Sequence, residues 1–347
     1  MTEERIKVEE TQDEQKISTG AKVVDILMKH NAVIILIVLV VISSIISDAF
    51  LTQMNIFNLT RHLVPLTFAA LGMLMVILTG GIDLSVGSNT ALGGMICGMF
   101  IVNYGMTSHG GLAFAIAAAL AVGFIAGSMT GFFVVGLKMA PFVATLATMT
   151  IARGAAFMTT FGQPLRLPLD EPATEALAYF GARSEPIFGI PWPVVLAIVV
   201  ILIFVFITRN TVFGRLVIAS GSNETAVRLA GIQVSRYKFF AYAISGMLCA
   251  AAGVITTARV IVAAPSIATG LELDAIAACV IGGASLSGGK GTVLNTVIGV
   301  MVLGLITNVM SLMGVGIYTQ QIARGVIIVL AVFVQHITSS REKTSII

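Results

Sequence analysis

The sequence predicts an all-α integral membrane protein of about ten transmembrane helices. Three observations carry this expectation. Hydrophobic residues make up 57% of the 347 positions and charged residues only 11%, whereas a soluble domain carries roughly 25% charge. The apolar residues gather in runs close to the ~20 needed to cross a bilayer. Small residues are dense inside those runs, as in "AFAIAAALAVGFIAGSMTG" (113–131) and "SGMLCAAAGVITTA" (245–258), and in lipid such residues let helix backbones approach closely.

Taken in order, residues 1–30 are rich in both charges and poor in large apolar side chains. No short apolar core follows a basic start, so this is an N-terminal tail rather than a signal or transit peptide. The spans then fall at 31–47, 63–79, 85–104, 112–137, 142–160, 192–208, 237–258, 273–288, 292–313 and 319–336. Glycines interrupt the third and the eighth. No strand alternation is visible between them, and 337–347 forms a short C-terminal tail.

Orientation follows the excess of Lys and Arg in cytoplasmic loops. With the N-terminus inside, Lys22, Lys29, Lys138, Arg209, Arg215, Arg228, Arg236, Lys238, Lys290, Arg341 and Lys343 are cytoplasmic. Only Arg61, Arg166, Arg183 and Arg259 lie outside. An even number of spans agrees, placing both termini in the cytoplasm. Two loops are too long for simple turns. The outside loop 161–191 carries Asp170, Glu171, Glu175 and Glu185. The inside loop 209–236 is basic and holds a helix signal: Ser222 or Asn223 as cap, then Ala226, Val227, Leu229 and Ala230 on one side, with Gly231 as stop.

Internal repetition is visible as well. "IARG" occurs at 151–154 and 322–325. "IDLSVGSNTALGG" (82–94) and "LELDAIAACVIGG" (271–283) each set an Asp ahead of a helix ending near Gly-Gly. The order is the same in each half, which suggests two inverted five-helix halves, a plan common among transporters.

No catalytic constellation emerges. His30, His62, His109 and His336 lack metal-ligand spacing, and Cys97, Cys249 and Cys279 sit singly in apolar runs as buried thiols. "SGGKGT" (287–292) fails the phosphate-binding pattern, because Ala284 stands where its first glycine belongs and Gly291 where its hydroxyl belongs. The chain therefore has no ATPase of its own. A small, scattered net charge of +3 gives no sign of nucleic acid. The intramembrane charges are Asp83 and Asp274 at span starts and Arg153 and Arg324 within spans. Charges in lipid face a bundle interior or a cavity. Asp83, with Ser85 and Asn89 behind it, is read first as a helix cap and second as a substrate contact. Arg153 and Arg324 are read as snorkelling or carbonyl-bound residues, or as part of the pathway.

At this point "LTGGIDLSVGS" (78–88), "LATMTIARG" (146–154), "TVFGRLVIASGSNETAVRLAGI" (211–232) and "ELDAIAACVIGGASLSGGKGTVLNTVIGV" (272–300) closely resemble the permease subunits of bacterial monosaccharide ABC importers of the ribose type. The resemblance runs from about residue 31 to 336. It implies a permease in the inner membrane that binds no cofactor and works as a dimer of two copies. Separate cytoplasmic subunits would bind ATP-Mg, and an extracytoplasmic protein would deliver the sugar. The segment with Arg215, Asn223, Glu224, Arg228 and Gly231 would couple to the ATP-binding subunit. An ion-coupled secondary transporter is the alternative. It is disfavoured because neither Asp lies deep within a span, and an intramembrane enzyme lacks its residues altogether.

Single cysteines at Glu175 and Glu224 are expected to label from opposite sides with an impermeant thiol reagent. Labelling of both from outside would overturn the ten-span topology.

Overall fold

A computed structural model describes residues 31–183 and 190–344. The N-terminal tail, and Glu185 of the outside loop, lie outside the described residues. The described chain is almost entirely helical: α1 Asn31–Ile46, α2 Gln53–Leu78, α3 Val86–Val102, α4 His109–Val135, α5 Pro141–Met158, α6 Pro172–Ala178, α7 Trp192–Asn210, α8 Val212–Ser222, α9 Glu224–Leu229, α10 Val234–Val260, α11 Leu271–Ile281, α12 Val293–Leu312 and α13 Ile317–Thr344. Each expected span contains a helix. Among the described residues, six helices (α2, α4, α5, α7, α10 and α12) are long and apolar enough to cross a membrane. The ten-span count is not reached on that measure. The clearest shortfall is α11, whose eleven residues rise only about 16 Å, half a hydrocarbon core of about 30 Å.

Helix α10 is the centre of the bundle. It packs most extensively on α4, then on α3 and α2. The α4 face is a stripe of small residues at every fourth position: Ala115, Ala119, Gly123, Gly127 and Gly131. This spacing keeps them on one side of the helix. A Cβ on Gly127 would fall 2.3 Å from the Tyr242 carbonyl oxygen, and one on Gly253 of α10 would fall 1.9 Å from the Thr90 carbonyl oxygen of α3. Backbone thus meets backbone on both flanks of α10. The opposite face of α4 and most of α7 display Phe124, Ile125, Phe132, Ile198, Leu202 and Phe206 outward, as lipid-facing surfaces should.

Two helices begin on non-helical approaches. Residues 79–85 lead into α3, and residues 261–270 lead into α11. Successive contacts of Gly93 with Ala250 and of Gly94 with Thr257 show α3 running parallel to α10. Helix α11 is antiparallel to α12, because Gly282 meets Asn295 and Gly299 meets Ala278. Helices α12 and α10 both run antiparallel to α2, through Leu63–Gly304 and Asn55–Asn308 and through Gly72–Ser245 and His62–Arg259, so α11 runs opposite to α10 and α3. The first turns of α3 and α11 come together where Gly87 lies against Ala268 and Glu272. These are the paired stretches of the internal repeat, and an antiparallel relation is what inverted halves require.

Four features depart from the sequence reading. Helix α2 starts ten residues before the expected Leu63, capped by Thr52, which accepts from the Asn55 backbone N–H. In its polar first half Asn58, Arg61 and His62 face a cavity and Asn55 bonds to Asn308, so they do not interrupt the helix. Helix α11 stops at Ile281, because Gly283 takes the left-handed conformation. Helix α13 continues through Thr344, past the expected end at 336. The long loop 161–191 contains α6 and a two-residue ladder, in which Leu165 and Arg166 pair antiparallel with Ala263 and Val262. Two residues are too few to show alternation.

Gly127→Leu is expected to prevent α4 from seating on α10 and to abolish the folded protein in membranes. Gly154→Ala on α5, where the added methyl meets nothing within 4 Å, should be neutral or stabilising by up to about 1 kcal/mol. Thermal unfolding of the detergent-purified proteins checks both.

Candidate functional site

Asp83 lies in the approach to α3, 1% exposed. Its Oδ1 accepts from the Ser85 backbone N–H at 2.9 Å and from the Ser85 hydroxyl at 2.5 Å. Its Oδ2 accepts from the Ser245 hydroxyl of α10 at 2.9 Å. Asn89 in turn donates its amide N–H to the Ser85 Oγ at 3.0 Å. Asp83 therefore does not cap α3 in the expected way. It satisfies one backbone donor two residues on, just before the helix begins, and spends its other oxygen on α10. This is an interhelical bridge near the middle of α10, and Ser245 was hidden in the sequence as one small residue among many.

The two "IARG" arginines both hold the region of α11, by different means. Arg153 on α5 donates to the carbonyls of Pro265 and Ile267 at 2.7 and 2.9 Å. Glu272 is within its electrostatic reach. Arg324 on α13 pairs with Asp274 at 2.9 Å. The structure thus joins Asp274 to Arg324, which the sequence left as separate candidates.

That ion pair lines the deeper of two cavities. The outer, about 430 Å³, is bordered by Asn58, Arg61, Asn308 and Ser311. The inner, about 220 Å³, is bordered by Leu63, Leu66, Leu303, Asp274 and Arg324. His62, Arg259 and Thr307 border both. At that junction the Arg259 guanidinium donates to the His62 Nδ1. Asn55 of α2 and Asn308 of α12 exchange amide hydrogen bonds at 2.9 and 3.1 Å. The pathway candidates Asp83, Ser85, Asn89 and Arg153 do not line either cavity.

Helices α8 and α9 lie in the inside loop and pack on α7, α2 and α10. Asn223, not Ser222, caps α9, accepting from the Ala226 N–H at 2.9 Å, and Gly231 ends the turn at φ +78°. Glu224 pairs with Arg228 four residues on and with Lys238 of α10, each at 2.5 Å. The hydrogen bond from Lys238 chiefly, with the Lys238 charge and the Arg228 hydrogen bond and charge adding less, holds the Glu224 carboxyl below the ordinary glutamate value of 4.5, against burial, the second-largest effect, which pushes it up. A carboxylate lowered in this way contributes stability above its unfolded pKa, and loses it as pH falls through the folded one. The clasp is therefore intact at neutral pH. Of the four apolar positions expected on one side, only Val227 is buried, while Leu229 is 83% exposed. Arg215 reaches the Asn210 carbonyl at 3.4 Å. The glycine turn around Lys290 docks on the end of α2, where the Gly289 N–H donates to the Leu78 carbonyl at 3.1 Å.

Residues 55–333 match the family described as the branched-chain amino acid transport system permease component. The chain belongs to this permease family. The ribose import permease protein of Escherichia coli K12 is 40% identical over 310 residues, covering 89% of this chain and 94% of the relative. The ribose import permease protein of Bacillus subtilis is 37% identical over 328 residues, 94% and 98% of the two chains. The L-arabinose transport system permease protein of Escherichia coli is 32% identical over 316 residues, 91% and 93%. No solved structure matches.

As a permease of this family, the chain is a membrane-spanning transport subunit, and its site residues are those that shape a path and its supports. Sequence reasoning missed Ser245, Lys238, Glu272, His62 and Arg259. In the sequence His62 shows only a lack of metal-ligand spacing, and Arg259 counts only as an outside charge. Their signal lay in the polar residues of α2 at 55, 58 and 62, which share one helix face.

Asp83→Asn is expected to keep near-normal abundance, since an amide oxygen still accepts from Ser85 and the Ser245 hydroxyl can turn to accept from the amide. Asp83→Ala leaves buried donors unmatched, at about 1–3 kcal/mol each. Membrane abundance of the two variants decides: equal, severe loss would show that the charge itself is required.

Proposed function

We propose that this permease forms the translocation pathway of an ATP-binding cassette importer for a monosaccharide such as ribose. The observation that carries the reading is the identity to ribose and arabinose permeases along nearly the whole of both chains. The cavity chemistry supports it. Amides and hydroxyls of Asn58, Thr307, Asn308 and Ser311 border the outer chamber, and such groups exchange hydrogen bonds with the hydroxyls of a neutral sugar. An ion-coupled mechanism would want a titratable acid exposed to the path. Asp274 is matched by Arg324, and Asp83 is enclosed.

In this reading ATP-Mg is bound by a separate cytoplasmic subunit, and an extracytoplasmic binding protein presents the sugar. Two copies of the chain pair in the bacterial inner membrane, with both termini cytoplasmic. Residues 31–336 are the permease body, and 209–236 the coupling segment, with Arg215, Asn223, Glu224, Arg228 and Gly231 shaping it. The exposed Leu229 and the 65% exposed Arg228 side chain give that segment an apolar tip beside a positive charge, a fit for an acidic-rimmed groove on the ATP-binding subunit.

Two measurements test the reading. Proteoliposomes holding the permease, its ATP-binding subunit and its binding protein should accumulate ribose only with ATP. Accumulation driven by a proton or sodium gradient, without the ATP-binding subunit, would overturn the proposal. Arg228→Glu should weaken assembly or uncouple hydrolysis from uptake while the membrane fold persists, since it also sets two carboxylates at i and i+4. Wild-type transport in that variant would place docking elsewhere.

A further inference from the structure

Arginines gather where α2, α10 and α12 meet. Arg61 of α2 and Arg259 of α10 both border the outer cavity, and each ends on a residue that borders it too. Arg61 donates to the Ala182 carbonyl at 3.4 Å, and Arg259 donates to the His62 ring nitrogen. Among the described residues, no carboxylate borders this cavity. The adjoining inner cavity brings Arg324 together with Asp274, a pair that adds no net charge. The residues bordering the two cavities therefore carry an excess of positive charge, inside a bundle where charge is costly. A neutral sugar would meet the amides and hydroxyls here but leave that charge unanswered.

The cavity also lies near one end of the bundle. Asn58, Arg61 and His62 fall within ten residues of the start of α2 at Gln53, about 8–14 Å along the helix. Thr307, Asn308 and Ser311 fall within six residues of the end of α12 at Leu312. The Asn55–Asn308 hydrogen bonds hold these two ends side by side. That is roughly the level at which lipid headgroups meet acyl chains. Leu51, Met54, Ile56 and Met313 are exposed around the same ends, giving acyl chains an apolar surface to lie on.

We infer that the outer cavity binds the headgroup of an anionic glycerophospholipid, with its phosphodiester at Arg61 and Arg259 and its hydroxyls at Asn58 and Asn308. The inference goes beyond sugar transport and does not depend on it. Guanidiniums meet phosphate oxygens through charge-assisted hydrogen bonds in a fixed plane. Basic pockets between membrane helices take acidic headgroups for this reason. Phosphatidylglycerol supplies both the net charge and the hydroxyls. Phosphatidylcholine carries the same phosphate, but it would bring a quaternary ammonium up to the arginines and offers no hydroxyl. One bound headgroup would tie α2, α10 and α12 together through a single anion.

Native mass spectrometry of the detergent-purified protein, titrated with phosphatidylglycerol or phosphatidylcholine, tests the site. Phosphatidylglycerol should bind the wild type at least tenfold more tightly. Arg259→Gln should weaken that binding about tenfold, the loss of a hydrogen bond to a charged group. Asn58→Asp should do the same by setting a carboxylate against the phosphate. Asn58 is exposed and aspartate has its size, so thermal unfolding in phosphatidylcholine should be unchanged, which separates lost binding from lost fold. Arg166→Gln removes a charge that does not border the cavity, and should leave the affinity as it is. Equal affinity for the two lipids, or unaltered phosphatidylglycerol affinity in both Asn58→Asp and Arg259→Gln, would overturn the inference. Inorganic phosphate should not displace the lipid from the wild type. Displacement that Asn58→Asp abolishes would keep a phosphate site and overturn the membrane as its source.

Discussion

The long-range contacts of Asp83 and Arg259 depend on the close backbone approach of α10 to α4 on one side and α3 on the other. Lipid tails are as apolar as leucine, so no hydrophobic force drives two membrane helices together, and association depends on packing and hydrogen bonds. Packing of that kind improves as side chains shrink. At Gly127 and Gly253 there is no room for even one methyl. With α10 fixed at backbone distance from two neighbours, its side chains cannot drift. Ser245 then meets Asp83 and Arg259 meets His62, residues 162 and 197 positions away in sequence.

The broken helices pose the second constraint. A non-helical segment in the hydrocarbon region must satisfy its own backbone groups, since no water does so. The two approaches are supported by side chains of opposite charge. Asp83 accepts the N–H that precedes α3, whereas Arg153 donates to the two carbonyls that precede α11. A carboxylate can only accept and a guanidinium only donate, so each ion matches the kind of backbone group left over. This explains charged residues in a chain that otherwise avoids them, without requiring either to touch a substrate.

The sequence made the helix positions legible because an apolar run is a property of neighbouring residues. It also exposed α9, since Asn223, the Glu224–Arg228 spacing and Gly231 are all local signals. The broken start of α3 was marked by its glycines. What it hid were partnerships at long range. Nothing near Asp274 points to Arg324, and nothing near Glu224 singles out Lys238 from the other basic residues of its loop. Hydropathy also misplaced the start of α2. Asn55, Asn58, Arg61 and His62 lower the average although they lie on a helix, because the last three face a cavity and Asn55 bonds to Asn308. Likewise Leu229 was grouped with Val227 on one side of α9, and only the structure shows Val227 buried while Leu229 stays exposed.

These two kinds of contact divide the molecule mechanically. Backbone-to-backbone seams among α3, α4 and α10 have no side chains to re-pack, so they resist sliding. The α11 and α13 side adds ionic ties, the Asp274–Arg324 pair and the two carbonyl bonds of Arg153, to the close seam of α11 on α12 at Gly282 and Gly299. An ion pair on long side chains tolerates shifts of an ångström or more, since its attraction falls slowly with distance, whereas interlocked backbones do not. The inner cavity lies along that boundary, with α2 and α10 on one wall and α11 and α13 on the other. Any tilt of α11 against α10 therefore changes the volume of the chamber directly, while the seam that fixes Asp83 and Arg259 stays in place.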